Sequence, residues 1–146
     1  MAGKAQLETD HRRLLVGSGI RPTRQRLLVL EALAAEPNDA TAQQIHAHLR
    51  DQGHSVGLAT VYRTLSVLSR GAVVDALTHR PGEACYRLCG AGDHHHHLVC
   101  TDCHRVVELG ECELEPWLAQ LGDEHSFTVT AHTVEVAGLC ADCSAS

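Results

Sequence analysis

Residues 41–70 read Thr41-Ala-Gln-Gln-Ile-His-Ala-His-Leu-Arg-Asp-Gln-Gly-His-Ser-Val-Gly-Leu-Ala-Thr-Val-Tyr-Arg-Thr-Leu-Ser-Val-Leu-Ser-Arg70. Thr41 and Gln44 have the spacing of a capping box, which opens a helix by satisfying two backbone donors of its first turn reciprocally. That helix runs through Ile45 and Leu49 and stops at Gly53. A short link, His54-Ser55-Val56-Gly57, leads to a second helix from about Leu58 to Arg70, with Gly71 suited to its C′ position. Leu58, Val61, Leu65 and Leu68 recur at helical spacing and form its inner face. Ala59, Thr60, Arg63, Ser66 and Arg70 lie opposite, with Tyr62 beside them. Two helices joined by a tight Gly-containing turn predict a helix-turn-helix, and small and polar residues at the exposed start of the second suit base edges.

The flanks extend this reading. Upstream, a helix is expected from about Leu7 to Val16, then another starting at Pro22 with the apolar stripe Leu27, Leu28, Leu30 and Leu33. Downstream, Val73–Leu77 and Ala84–Leu88 read as strands around His79-Arg80-Pro81-Gly82, which makes a hairpin wing. Cys89-Gly90-Ala91-Gly92-Asp93 is a Gly-rich hinge. Beyond it come a strand from His94, a Cys-bearing turn, a strand over Arg105–Leu109, a helix from about Pro116 to Leu121 and a last strand from Phe127 to Ala137. The expected organisation is α+β. A winged helix-turn-helix domain occupies 1–88, a hinge 89–93, and a small metal-binding α/β domain 94–146.

The second half is rich in metal donors. Cys100 and Cys103, with Cys140 and Cys143, offer four sulfurs, enough to close one tetrahedral structural zinc site. Two disulfides are the competing use, but no signal-peptide pattern is visible, and a reducing cytoplasm is the expected setting. Cys100, Cys103 and His104 also spell a haem-attachment motif, which leaves the second pair without a role. The run His94–His97 lies mid-chain beside apolar Leu98-Val99, unlike a terminal tag. In a strand, His94 and His96 face one way and His95 and His97 the other, so one strand feeds two metal sites. Asp75, Cys85, Cys89, Glu115, His125 and His132 are the candidates to complete them, and spacing does not choose among these.

Charge divides the same way. Residues 1–90 carry eleven Lys and Arg against eight acidic groups, a net +3, whereas residues 91–146 carry one Arg against ten, a net −9. The first 26 residues alone hold six basic and two acidic groups. This asymmetry predicts a nucleic-acid-facing half and an acidic half whose charge bound cations would offset. Four aromatic residues, Tyr62, Tyr86, Trp117 and Phe127, are too few for a base-stacking platform, so double-stranded DNA is the expected partner. No apolar run approaches a membrane span. Tyr62 and Arg63 are placed to read bases. Arg12, Arg13, Arg21, Arg24, Arg26 and Thr60 are placed to meet phosphates or a minor groove.

Arg21-Pro-Thr-Arg-Gln-Arg26, Ala59-Thr-Val-Tyr-Arg-Thr-Leu65 and His94-His-His-His-Leu-Val-Cys-Thr-Asp-Cys103 together resemble the ferric uptake regulator family, from about residue 12 to Cys143. Within it the chain is most similar to the actinobacterial zinc-responsive branch. The resemblance implies a homodimeric, zinc-responsive repressor acting on AT-rich palindromic operators before zinc-uptake genes, with no small-molecule substrate. It implies structural zinc on Cys100, Cys103, Cys140 and Cys143. It implies a regulatory site of Asp75, Cys89, His95 and His97, and a third site of His94, His96, Glu115 and His132, giving two to three zinc ions per subunit. Cys85 and Cys112 have no role in that scheme; Cys85 shares a strand face with Cys89 and so could compete as a ligand. Three other readings stay open. An iron or manganese regulator would use the same fold. A zinc hydrolase would need an open coordination position and a general base, and no His-Glu-x-x-His motif is present. A thiol redox sensor would need an exposed, acidic thiol.

Overall fold

A computed structural model describes residues 2–89, 94–110 and 112–145. The chain forms two compact units, Met1–Cys89 and Gly90–Ser146. Most of the expected hinge, residues 90–93, lies outside the described residues.

The first unit opens with helix α1 (Ala2–Gly17), longer than expected, and α2 (Arg24–Ala34). The second helix begins after Pro22, not on it: Thr23 is the N-cap, its hydroxyl accepting from the Arg26 amide. The capping box is as expected. Thr41 Oγ1 accepts from the Gln44 amide at 3.2 Å, and Gln44 Oε1 accepts from the Thr41 amide at 2.9 Å. This starts α3 (Ala42–Asp51), which ends at Gln52 and the left-handed Gly53.

Helix α4 (Leu58–Arg70) then presents Val61, Leu65 and Leu68 inward. Leu58, expected on that inner face, is exposed, and Thr64, outside the expected stripe, is buried there. At the far end the roles of two residues are exchanged. Gly71 has an ordinary φ of −85°, while Ala72 carries the left-handed φ of +54°. At Gly71 a Cβ would come within 2.5 Å of Ile20 Cδ1, so a side chain there would force the Ile20 tip to move. Leu15, Leu30, Ile45, Leu49, Val61, Leu65 and Val74 form one buried core that ties all four helices to the wing.

The wing is β2 (Val74–Arg80) and β3 (Glu83–Leu88), turning tightly at Pro81-Gly82. Strand β3 also pairs antiparallel with β1 (Ala40–Thr41), so the sheet order is β1-β3-β2. The two-residue β1 has no signature of its own in the sequence.

The second unit is a sheet of order β5-β4-β6, with β4 (His96–Cys100) central, β5 (Val106–Leu109) antiparallel to it and β6 (Glu135–Gly138) parallel. Helix α5 (Glu115–His125) makes the crossover that a parallel pair requires. It ends at left-handed Ser126, and Phe127 then folds back so that its amide meets the Gly122 carbonyl at 2.8 Å. A Cβ on Gly122 would sit 2.7 Å from the Phe127 carbonyl oxygen, so this close return needs glycine. The expected strand over 127–137 is much shorter; regular pairing begins only at Glu135. A short helix, α6 (Ala141–Ser144), closes the described chain. Among the described residues no helix is long and apolar enough to cross a membrane.

Candidate metal centres and nucleic-acid interface

The four cysteines of the paired motifs converge. Cys100 ends β4, Cys103 sits in the turn behind it, and Cys140 caps α6, which carries Cys143. The turn closes through His104, whose φ is +61° and whose amide meets the Cys100 carbonyl at 3.0 Å. All four sulfurs lie within 4.8 Å of one another, and Cys103 and Cys140 are 3.8 Å apart. A tetrahedron with zinc–sulfur bonds of about 2.3 Å has edges of about 3.8 Å, so the cluster fits that ion. Amide donation from Cys140, then from Cys103 and Asp102, brings the Cys100 thiol down to about 6. The Cys143 thiol is pushed well up, first by Cys140 and then by Asp102. Thiols this close share one another's protons until a cation replaces them. Cys100 and Cys103 thus partner the distant pair, which the haem motif leaves idle.

The His run alternates as a strand dictates, although regular pairing starts at His96 rather than His94. His94 and His96 gather with His132 and Cys112, their donor atoms all within 4.8 Å. Cys112 Sγ is 3.3 Å from His96 Nε2 and 3.2 Å from His132 Nε2. This differs from the set that the resemblance supplied. Glu115 is exposed on the first turn of α5 and lines the hollow beside His94 and His132, but its carboxylate is not in the cluster; Cys112 takes that place. Burial, then the neighbouring imidazoles beginning with His94, lowers the His96 pKa and keeps a lone pair available for an ion.

His95 and His97 turn the other way, with ring centroids 4.9 Å apart. Glu108 joins them, because β5 pairs it directly opposite His97. Sequence reading missed Glu108; the antiparallel register of β4 and β5 was the signal that could have found it. In the first unit, Asp75 lies on β2 opposite Arg87, and Cys89 follows β3, its amide bonded to the Val73 carbonyl at 3.1 Å. His125 ends α5 and belongs to no donor cluster among the described residues. Cys85 is fully buried on β3, and burial, then the Asp39 carboxylate, pushes its thiol up to about 11. It is therefore no activated sensor thiol.

On α4, Tyr62, Arg63, Ser66 and Arg70 are exposed along one side, and Thr60 is half-buried near its start. Arg21 and Arg24 are exposed at the entry to α2, and Arg26 donates to the Arg21 carbonyl at 2.6 Å, bracing that loop. Arg12 and Arg13 are exposed on α1 but lean on Glu8 and Asp10 at 3.6 and 3.7 Å.

A model of the ferric uptake regulator family matches residues 17–137. The chain belongs to that family. It is 41% identical over 126 residues to the zinc uptake regulation protein of Mycobacterium tuberculosis, spanning 86% of this chain and 96% of that one. It is 32% identical to the ferric uptake regulation protein of Shigella flexneri, over 92% and 90% of the two chains. Among solved structures, the ferric uptake regulator of Vibrio cholerae is 30% identical, covers 88% of this chain and 98% of its own, and superposes with a TM-score of 0.61. The holo form of the regulator XcZur is 27% identical, covers 97% and 99%, and reaches 0.75. This family chain thus joins a winged helix-turn-helix to a small α/β unit carrying the cysteine cluster, and its relatives are regulators rather than enzymes.

Proposed function

We propose that this Fur-family chain is a zinc-responsive repressor of zinc-uptake genes, binding palindromic, AT-rich operator DNA as a homodimer. The observation that supports zinc over a harder metal is sulfur: one donor set is all cysteine, and a second includes Cys112. Zinc on Cys100, Cys103, Cys140 and Cys143 is structural in this reading. Zinc on Asp75, Cys89, His95 and His97, with Glu108 as an added or alternative oxygen donor, is regulatory. A third ion lies on His94, His96, Cys112 and His132, for two to three per subunit.

An ion that takes ligands from both units favours one arrangement of them, and so does a palindrome read by two recognition helices. Each therefore raises the affinity of the other. A shift from 1:99 to 99:1 asks for about 5.5 kcal/mol of preference, well below the roughly 10–16 kcal/mol of structural zinc in peptides. Tyr62 and Arg63 read bases; Thr60, Arg12, Arg13, Arg21, Arg24 and Arg26 hold the backbone.

The test is operator binding by purified protein against buffered free zinc, with iron and manganese as parallel arms. Zinc alone should bring the complex into the nanomolar range typical of specific sites. Cys89→Ser should keep the fold and the cysteine-bound zinc and abolish the zinc response. Equal stimulation by iron would overturn the zinc assignment, and an unfolded Cys89→Ser would overturn the regulatory one.

A further inference from the structure

One cluster of metal-type donors lies wholly in the first unit and has no part in the reading above. Asp39 immediately precedes β1, His79 is on β2 and Cys85 is on β3. One donor atom from each lies within 4.8 Å of the others, with Asp39 Oδ2 and His79 Nε2 only 3.1 Å apart. The side chains of Asp39 and His79 are both 0% exposed, and Cys85 is equally buried. The β2–β3 register shifts between Leu77 and Arg80, so His79 lies within an irregularity of the strand. Bulges of this kind re-aim a side chain and cluster beside functional sites.

We propose that Asp39, His79 and Cys85 form a further metal-binding centre that takes a borderline-soft divalent cation of the zinc and cobalt class and clamps the three strands of the wing sheet together. One oxygen, one imidazole nitrogen and one sulfur make the mixed donor set such ions accept, and three protein ligands leave a fourth position for water. Binding releases the proton of the Cys85 thiol, and the proton that His79 Nε2 shares with Asp39 moves to Nδ1 or leaves as well, freeing the lone pair that ligates. Carboxylate, thiolate and a divalent ion then sum to zero charge, the state a buried site tolerates best. Arg80 is the natural competitor. Its Nη2 lies 3.8 Å from Asp39 Oδ1, and its side chain is 23% exposed, so it can withdraw toward solvent when an ion arrives.

The experiment counts zinc on the full chain after dialysis against excess zinc and removal of loosely held metal. Cys85→Ala and His79→Ala should each bind one equivalent fewer than the parent, and Arg80→Met should fill the same number at lower free zinc. An unchanged count in the first two overturns the proposal. Should those variants fail to fold, anomalous diffraction at the zinc edge from parent crystals decides it. A peak bounded by the three side chains supports the centre, and a blank there with the Cys100 cluster filled overturns it. Neither readout involves operator DNA, so the outcome is separable from that of the repressor reading.

Discussion

At the scale of single residues, the proposal that Cys112 rather than Glu115 completes the third site matters most. Cys112 touches two imidazoles, and Glu115 is exposed beside the same hollow. A thiolate ligand there would add a soft donor and shift preference toward zinc. Cys112→Ala should therefore remove about one bound zinc and weaken the third site by at least tenfold, while Glu115→Gln should change the count little; zinc titration of the two variants checks this. Sequence reading could not see the exchange. The Glu115 assignment came with the family resemblance, and the three-residue offset between Cys112 and Glu115 is resolved only where the chain turns into α5. The opposite case is the cysteine tetrad. Two pairs of close sulfurs announce themselves without any knowledge of the chain between them.

Secondary-structure elements were legible in proportion to how local their causes are. The α3 capping box rests on two side chains three residues apart, and both hydrogen bonds are formed. Thr41→Ala should cost about 1 kcal/mol of unfolding free energy, measured by urea titration of the metal-loaded protein. Thr41 also belongs to β1, so the loss reaches the wing sheet through its pairing with Cys85. That strand was invisible beforehand because two residues become a strand only through their partner. The segment from Phe127 failed in the other direction. Its apolar alternation reads as a strand, yet Phe127 is 75% exposed, and the chain spends these residues returning over Gly122. A period-2 pattern reports one apolar face, not whether a neighbouring strand is there to pair with it.

Across the whole molecule, the two units are stabilised by different means. The first holds a large aliphatic core. In the second, Val99 and Cys100 are the buried apolar residues among those described, while Leu98, Val107 and Val136 stand exposed on neighbouring strands in direct register. A unit this small, with so little core, needs metal or a partner surface to persist. In the homodimer proposed above, that apolar sheet face is a natural seam. Leu98→Asp should raise the dimer dissociation constant by tenfold or more, read by sedimentation, while the four-cysteine zinc remains. A dimer unaffected by Leu98→Asp would place the seam elsewhere.

The strict alternation along the start of β4 also governs how its imidazole tract can change. Replacing one histidine empties one corner of one centre. Deleting any one leaves histidine at the three positions nearest Leu98 and changes only the outermost, from His94 to Asp93, because the four residues are identical. Only the donor set that includes His94 then loses an imidazole. A single-codon deletion within 94–97 should thus cost the same bound metal as His94→Asp and leave the donor set of His95 and His97 intact, which zinc counting of the two variants checks.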